Sequence, residues 1–279
     1  MERLPDAELL RWLHEDAPHG DLTSRALGLA QQPGVARFHA RRAIRVAAIE
    51  EAARLFELCG AQAGVRVASG RDAAPDELLL EARGGAGALL LAWKIAQTAV
   101  EAASGVAGAA AHIVGLLRAQ GFAQPLACTR KNWPGGRALA ARAVWAGGAV
   151  MHRLGLSETL LVFPEHRGFI ARDELPRRLA ALRASQPEKK LVVEVGSADD
   201  ALLAAAAGAE VLQLERFSPE ALAALRITLE SNGFHPLLAP AGGVTADNAL
   251  AYARAGADLL VSSAPYFAPP ADVRVTIAP

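Results

Sequence analysis

From about residue 125 onward, short apolar runs alternate with Ala/Leu/Arg-rich stretches of helical period, and this rhythm narrows the possible folds more than any other feature of the chain. The predicted strands are Leu126–Thr129, Thr159–Phe163, Leu191–Val195, Val211–Glu215, Pro236–Pro240 and Asp258–Ser262. Helices are predicted over Ala171–Ser185, Ser197–Ala207, Ser218–Ser231 and Thr245–Ala255. Asp173, Ser197, Ser218 and Asn248 are their candidate caps, and Pro219 stands in a first turn. A strand followed by a helix of ten to fifteen residues, repeated, implies parallel pairing, because parallel strands need a crossover of that length. Six such strands favour a closed or nearly closed β/α barrel over a doubly wound sheet. The class is α/β.

The first hundred residues lack that rhythm. An amphipathic helix over Asp6–Asp16 precedes a turn at Ala17–Asp21; strands are predicted at Arg37–Ala40, Arg45–Ala48 and Glu77–Ala82, and a helix at Glu50–Cys59. After the glycines at 84, 85 and 87 comes a long helix over Ala88–Ala103, which Ser104-Gly105 would bend or end before a second helix runs to Gln120. Val273–Ile277 alternates like a strand with no helix after it, and is expected to pair back onto the first domain.

Composition removes several function classes. In 279 residues, 29 Lys+Arg balance 29 Asp+Glu, which argues against a nucleic-acid coat or a polybasic membrane binder. Hydrophobic residues make up 52 % and charged residues 21 %, so the chain is not intrinsically disordered. Cys59 and Cys128 lie too far apart for a metal clip, and residues 1–20 carry too many acids for a signal peptide. The apolar run Ala86–Trp93 is far shorter than the roughly 20 residues of a membrane span. A cytoplasmic location without membrane insertion is expected. Of 29 basic residues only Lys94, Lys131, Lys189 and Lys190 are lysines, so a retained lysine can mark a place where the compact ammonium is wanted.

In a β/α barrel, reactive groups stand at the C-terminal ends of the strands. Arg130-Lys131 follows the first predicted barrel strand and His152-Arg153 lies downstream, so four cationic groups could form an anion site. Glu194 and Glu215 lie in successive apolar strands, where an unpaired carboxylate is costly. Either Mg²⁺, held through water and substrate phosphates, or a salt bridge to Arg130 or Lys131 would satisfy them, and the two can coexist. Pro240–Thr245, with Gly242 and Gly243, joins a strand to a predicted helix N-terminus and could cradle a phosphate, with Ser262-Ser263 completing the cup. His166 follows another strand end, whereas His14, His39, His112 and His235 read as surface or core groups. Nucleophile elbow, Walker loop and dinucleotide fingerprint are all absent from the sequence.

Together, Thr129–Gly135 (TRKNWPG) and Gly147–Glu158 (GGAVMHRLGLSE) resemble the signature of the quinolinate phosphoribosyltransferase (nicotinate-nucleotide pyrophosphorylase) family, over nearly the whole chain. More narrowly, Ala92-Trp93-Lys94, Phe163–His166 and Ser263–Tyr266 look like the molybdenum-transport-associated ModD branch. The resemblance implies an N-terminal α/β sandwich domain (residues 1–105 and 268–279) and an open β/α barrel (106–267), assembled as a homodimer. It also implies transfer of phosphoribose from phosphoribosyl pyrophosphate to a small aromatic acceptor, a pyridine dicarboxylate in the family, with Mg²⁺ and release of pyrophosphate and CO₂. By the same resemblance Arg130, His152 and Arg153 bind substrate carboxylates, and Lys131 serves the phosphoribosyl donor. Glu194 and Glu215 serve the ribose hydroxyls and Mg²⁺. Ala241, Gly242, Gly243 and Ser263 belong to the phosphate cup, His166 adjoins the substrate, and Lys94 is donated across the dimer interface.

Four departures from the family bear on the acceptor. Phe163-Pro164-Glu165-His166 stands where Lys-Asp-Asn-His is usual, so a cation has become apolar. Lys94 replaces an arginine fork, Ala241 a small hydroxyl residue, and Ser263 a glycine. The expected acceptor is quinolinate-like, with quinolinate itself refused or handled poorly. A non-catalytic binding protein for a phosphorylated metabolite or oxyanion is the alternative, ahead of a phosphate-handling isomerase, whose only acid/base pair would be Glu165 and His166.

Overall fold

A computed structural model describes residues 3–279, which divide into two compact units. The first holds the described residues up to Ala111 together with Trp133–Gly148 and Pro265–Pro279; the second holds His112–Asn132 and Ala149–Ala264. Residues 133–148, assigned by the sequence boundary to the barrel, thus group with the first unit.

In the first unit, α1 (Asp6–Asp16) and α2 (Leu22–Ala26) lead into β1 (Pro33–Ala40) and β2 (Ile44–Arg45). There follow α3 (Ile49–Leu58), β3 (Gln62–Val65), β4 (Asp72–Ala73), β5 (Leu78–Gly85) and α4 (Ala86–Ala119), whose last turns enter the second unit. An antiparallel sheet of order β13-β1-β5-β3 takes its edge from β13 (Val273–Ala278), which returns onto β1 with Ala40 opposite Val273. Phe38 of β1 meets Phe56 of α3 edge-to-face at 5.8 Å, both fully buried. β2 pairs only with β4, and the extended segment expected to reach Ala48 ends early because Ala48, at φ 59°, opens α3.

Helix α4 is continuous through Ser104-Gly105, where a bend was expected. Small residues there admit neighbours: Ser104 Oγ accepts the Ala47 N–H at 3.0 Å, and a Cβ at Gly105 would collide with the Pro269 carbonyl. By length and composition α4 is the one described helix that could cross a membrane, against the expectation drawn from Ala86–Trp93 alone. Its buried residues Leu89, Ala92, Ala96, Val100, Ala103, Ala107 and Ala110 recur at helical spacing, so one stripe packs into protein core. Later in the chain, α5 (Arg137–Ala146) brings buried Arg142 into an ion pair with buried Glu51 of α3. Glu51 also accepts the Leu4 N–H at 3.0 Å.

In the second unit, the parallel strands are β6 (Leu126–Cys128), β7 (Val150–Met151), β8 (Leu160–Val162), β9 (Leu191–Val195), β10 (Val211–Glu215), β11 (Leu237–Ala241) and β12 (Leu260–Ser262). They form two ladders, β12-β6-β7 and β11-β10-β9-β8. The approach to β12 is tied to β11 by Asp258, whose N–H donates to the Leu238 carbonyl at 2.9 Å and whose carboxylate accepts the Leu238 N–H at 2.7 Å. No ladder joins β7 to β8 among the described residues, and the barrel is open there. Helices α6 (Pro164–Arg167) and α7 (Leu175–Ser185) follow β8, α8 (Ala198–Ala206) follows β9, α9 (Pro219–Ser231) follows β10 and α10 (Ala249–Arg254) follows β11. Ser197 and Ser218 cap α8 and α9 through the Asp200 and Ala221 N–H groups.

Barrel filling fixes which side chains reach the mouth. Ala127, Leu161, Val192, Val211, Ala239 and Val261 pack together in the interior. Strand side chains alternate, so the same face two residues on carries Thr129, Phe163, Glu194, Gln213, Ala241 and Ser263. Glu215 lies one step further along β10.

Candidate active site

Both hydroxyl and cationic groups come from the ends of β6, β7 and β12. Thr129 Oγ1 accepts the Lys131 N–H at 3.2 Å and shares a 2.5 Å hydrogen bond with Ser263 Oγ, linking β6 to β12 at the level of the mouth. Arg130 and Lys131 are exposed. The His152 N–H donates to the Cys128 carbonyl at 2.8 Å and extends the β6–β7 pairing into His152-Arg153. Arg153 is only 4 % exposed, and no carboxylate stands within ion-pair distance of it among the described residues. Its guanidinium lies 5.4 Å from the centre of the Phe163 ring. Burial, and then the charge of Arg130, push its pKa down; burial, and then Arg153, hold the His152 imidazole below the usual histidine range. A buried guanidinium without an acid is primed for an anionic ligand.

Opposite in sign are Glu194 and Glu215. Glu194 is half-buried, and its Oε2 accepts a hydrogen bond from the Gln213 amide on the neighbouring strand. Burial raises its pKa most, Gln213 opposes that, Glu215 and Glu165 raise it further, and Lys131 lowers it. The charges of Lys131 and Glu215 are thus both felt at Glu194. Glu215 has the adjacent Arg216 at 3.5 Å as its cation, and neither acid pairs with Arg130 or Lys131 within 4.0 Å among the described residues, so the salt-bridge alternative is not realised. Two carboxylates with mutual repulsion offer hard oxygen ligands for a divalent cation. The described residues contain no set of three metal-binding side chains, so Mg²⁺ would need oxygens from substrate and water as well.

Facing Glu215 is the glycine loop after β11. Gly242 has φ 75° and Gly243 φ 118°, and a Cβ on Gly242 would fall 2.5–2.7 Å from the Glu215 carboxylate atoms. Only glycine lets the acid lie on the loop. The expected helix over Thr245–Ala255 begins only at Ala249, so the loop does not run straight into a helix N-terminus. Side chains hold it instead. Asn248 accepts the Thr245 N–H and donates to the Gly243 carbonyl, both at 2.9 Å, and Ser262 Oγ donates to the Val244 carbonyl at 2.6 Å. Side chains thus engage the Gly243 and Val244 carbonyls, and a glycine loop of this kind can offer N–H groups to an anion.

His166 is committed locally: its Nδ1 accepts the Phe163 N–H at 3.0 Å, and its ring stacks on that of Phe163 at 5.8 Å. Lys94 belongs to the first unit, exposed on α4, with its ammonium 3.8 Å from the Trp93 ring and hydrogen-bonded to Gln97 at 3.0 Å. Sequence reasoning assigned Gln213 no role, placed Ser262 in the phosphate cup and marked Asn248 only as a helix cap, whereas Ser262 holds the loop through the Val244 carbonyl. Gln213 was visible as the polar residue two before Glu215 in an otherwise apolar strand.

Family models agree with this architecture. The N-terminal domain of quinolinate phosphoribosyl transferase matches residues 21–104, and its C-terminal domain matches residues 106–276. ModD of Rhodobacter capsulatus is 50 % identical over 256 residues, covering 92 % of this chain and 98 % of that protein. Nicotinate-nucleotide pyrophosphorylase [carboxylating] of Rattus norvegicus is 32 % identical over 250 residues, covering 88 % and 82 %. Among solved structures, NadC from Streptococcus pyogenes superposes with a TM-score of 0.89 at 24 % identity over 100 % of this chain and 99 % of that one, a likeness of fold. On these matches the chain belongs to the quinolinate phosphoribosyltransferase family and is an enzyme of the pentosyltransferase class.

Proposed function

We propose that the chain transfers phosphoribose from phosphoribosyl pyrophosphate to the ring nitrogen of a carboxylate-bearing heterocycle, with release of pyrophosphate. The juxtaposition of Glu215 with Gly242 carries the reading, since it sets a carboxylate beside a loop suited to a 5′-phosphate. The acceptor nitrogen forms a bond to the anomeric carbon as the bond to pyrophosphate breaks, the departing oxygen keeping the electron pair. Glu194 and Glu215 orient the ribose hydroxyls and favour positive charge on the sugar ring. Lys131 stabilises the departing pyrophosphate, and no protein nucleophile is needed. Mg²⁺, when bound through Glu194 and Glu215, would neutralise pyrophosphate charge.

Arg153 and Arg130 take the acceptor carboxylate, beside a neutral His152. Phe163 makes the remaining wall apolar, which suits an acceptor with one carboxylate better than quinolinate. A homodimer in which Lys94 completes the partner's site, a cytoplasmic location and a link to molybdenum transport belong to the same proposal. Titration calorimetry of phosphoribosyl pyrophosphate with Mg²⁺ tests the donor, and pyrophosphate release across a panel of nitrogen heterocycles tests the acceptor. The proposal expects donor binding that Lys131→Ala and Glu215→Ala weaken, and turnover with at least one acceptor. No donor binding by the wild type would refute it, and binding without turnover would favour a binding protein.

A further inference from the structure

We propose that Gln213 is a positioning residue for Glu194, its buried amide fixing one carboxylate oxygen so that the other faces the barrel mouth; the inference rests on the phosphoribosyl-transfer reading. Gln213 is 6 % exposed, midway along β10, and pairs in register with Glu194 on β9. Its interior neighbours on β11, Ala239 and Ala241, are small, so no bulky side chain props it from that side. A glutamine among apolar strand residues is costly unless its amide is used. Here Nε2 donates to Glu194 Oε2.

The main chain of Glu194 is held as well. Arg167, 14 % exposed in its side chain, donates from Nη2 to the Glu194 carbonyl at 3.0 Å while its Nη1 pairs with Asp200 at 2.8 Å. Backbone and carboxylate are thus anchored by different residues on different elements. Among the described residues Gln213 supplies the one hydrogen bond to the carboxylate, which sits among Glu215, Glu165 and Lys131, two of which repel it. Without the amide, repulsion from Glu215 and Glu165 would turn the carboxylate away from the sugar.

Gln213→Met keeps the side-chain length and removes the donor; Gln213→Asn withdraws the donor by one methylene and serves if the first variant fails to fold. Each is paired with Glu194→Ala in a double-mutant cycle, read by calorimetric binding of phosphoribosyl pyrophosphate and by kcat and KM. In the wild-type background donor affinity and kcat should each fall about tenfold, the scale of one hydrogen bond to a charged group, with acceptor KM unchanged. In the Glu194→Ala background the same change should cost less than about twofold. Equal losses in both backgrounds, or none in the first, overturn the proposal. A crystal structure of Gln213→Met separates its failure from that of the underlying reading. A wild type that binds no donor refutes phosphoribosyl transfer, whereas a Glu194 carboxylate unmoved in the variant refutes positioning whatever the ligand.

Discussion

Gly242→Ala isolates the contact between the glycine loop and Glu215. A Cβ at this position meets Glu215 Oε1 at 2.5 Å, and ordinary van der Waals contact begins at 3.4 Å, so the carboxylate must retreat by about 0.9 Å. Misplacing a catalytic group by about 1 Å can cost about a hundredfold in rate, and that is the expected fall in kcat. Alanine at φ 75° adds a backbone cost of about 1–2 kcal/mol, which lowers the melting temperature by a few degrees and leaves the protein folded. Pyrophosphate release at saturating phosphoribosyl pyrophosphate gives the rate, and a thermal melt gives the stability. Because Glu215→Asp shortens the side chain by one methylene, it makes room for the Cβ. Relative to Glu215→Asp alone, the double variant should lose less than about fivefold. A Gly242→Ala enzyme within twofold of wild-type kcat, or a double variant losing the full hundredfold, would refute the steric argument.

Arg153→Met should raise the KM for a carboxylate acceptor about ten- to a hundredfold while the melting temperature holds or rises, because burying a cation without an acid costs more than its contact with the Phe163 ring returns; a melting temperature lowered by ten degrees would assign Arg153 a structural role. Glu51→Ala strands buried Arg142 without its acid and should destabilise the first unit by about 3–5 kcal/mol, read by urea unfolding; a loss below about 1 kcal/mol would contradict the burial argument. The His152 pKa is lowered in the fold, so below the usual histidine range the unfolded chain binds the extra proton first. Stability should therefore fall with decreasing pH through that range, and His152→Gln should lessen the slope of melting temperature against pH between 7 and 5.

Legibility in the sequence followed the strength of local patterning. Leu191–Val195 and Val211–Glu215 are apolar runs with clear flanks, and they form strands over those same residues. β7 has two residues and owes its pairing to β6, so no local signal marks it. Ser104-Gly105 has the composition of a helix break, but tertiary neighbours, Ala47 and Pro269, account for both residues inside α4. The same divide runs through the site. Glu194 and Glu215 stand out because carboxylates in apolar strands need a reason. Asn248 and Ser262 act by holding Gly243 and Val244 carbonyls, contacts that exist only once the loop is folded. The helix expected from Thr245 starts late because Asn248 caps the loop and not a helix running from it.

The returning strand β13 has a consequence for biosynthesis. Its partner β1 leaves the ribosome early, yet the residues that cover its edge, Val273–Ala278, are translated only after every strand of the barrel. During that interval β1 exposes a row of unsatisfied amides and carbonyls, an invitation to intermolecular pairing. The nascent chain should be prone to aggregate, and dependent on chaperones, until Val273–Ala278 emerge.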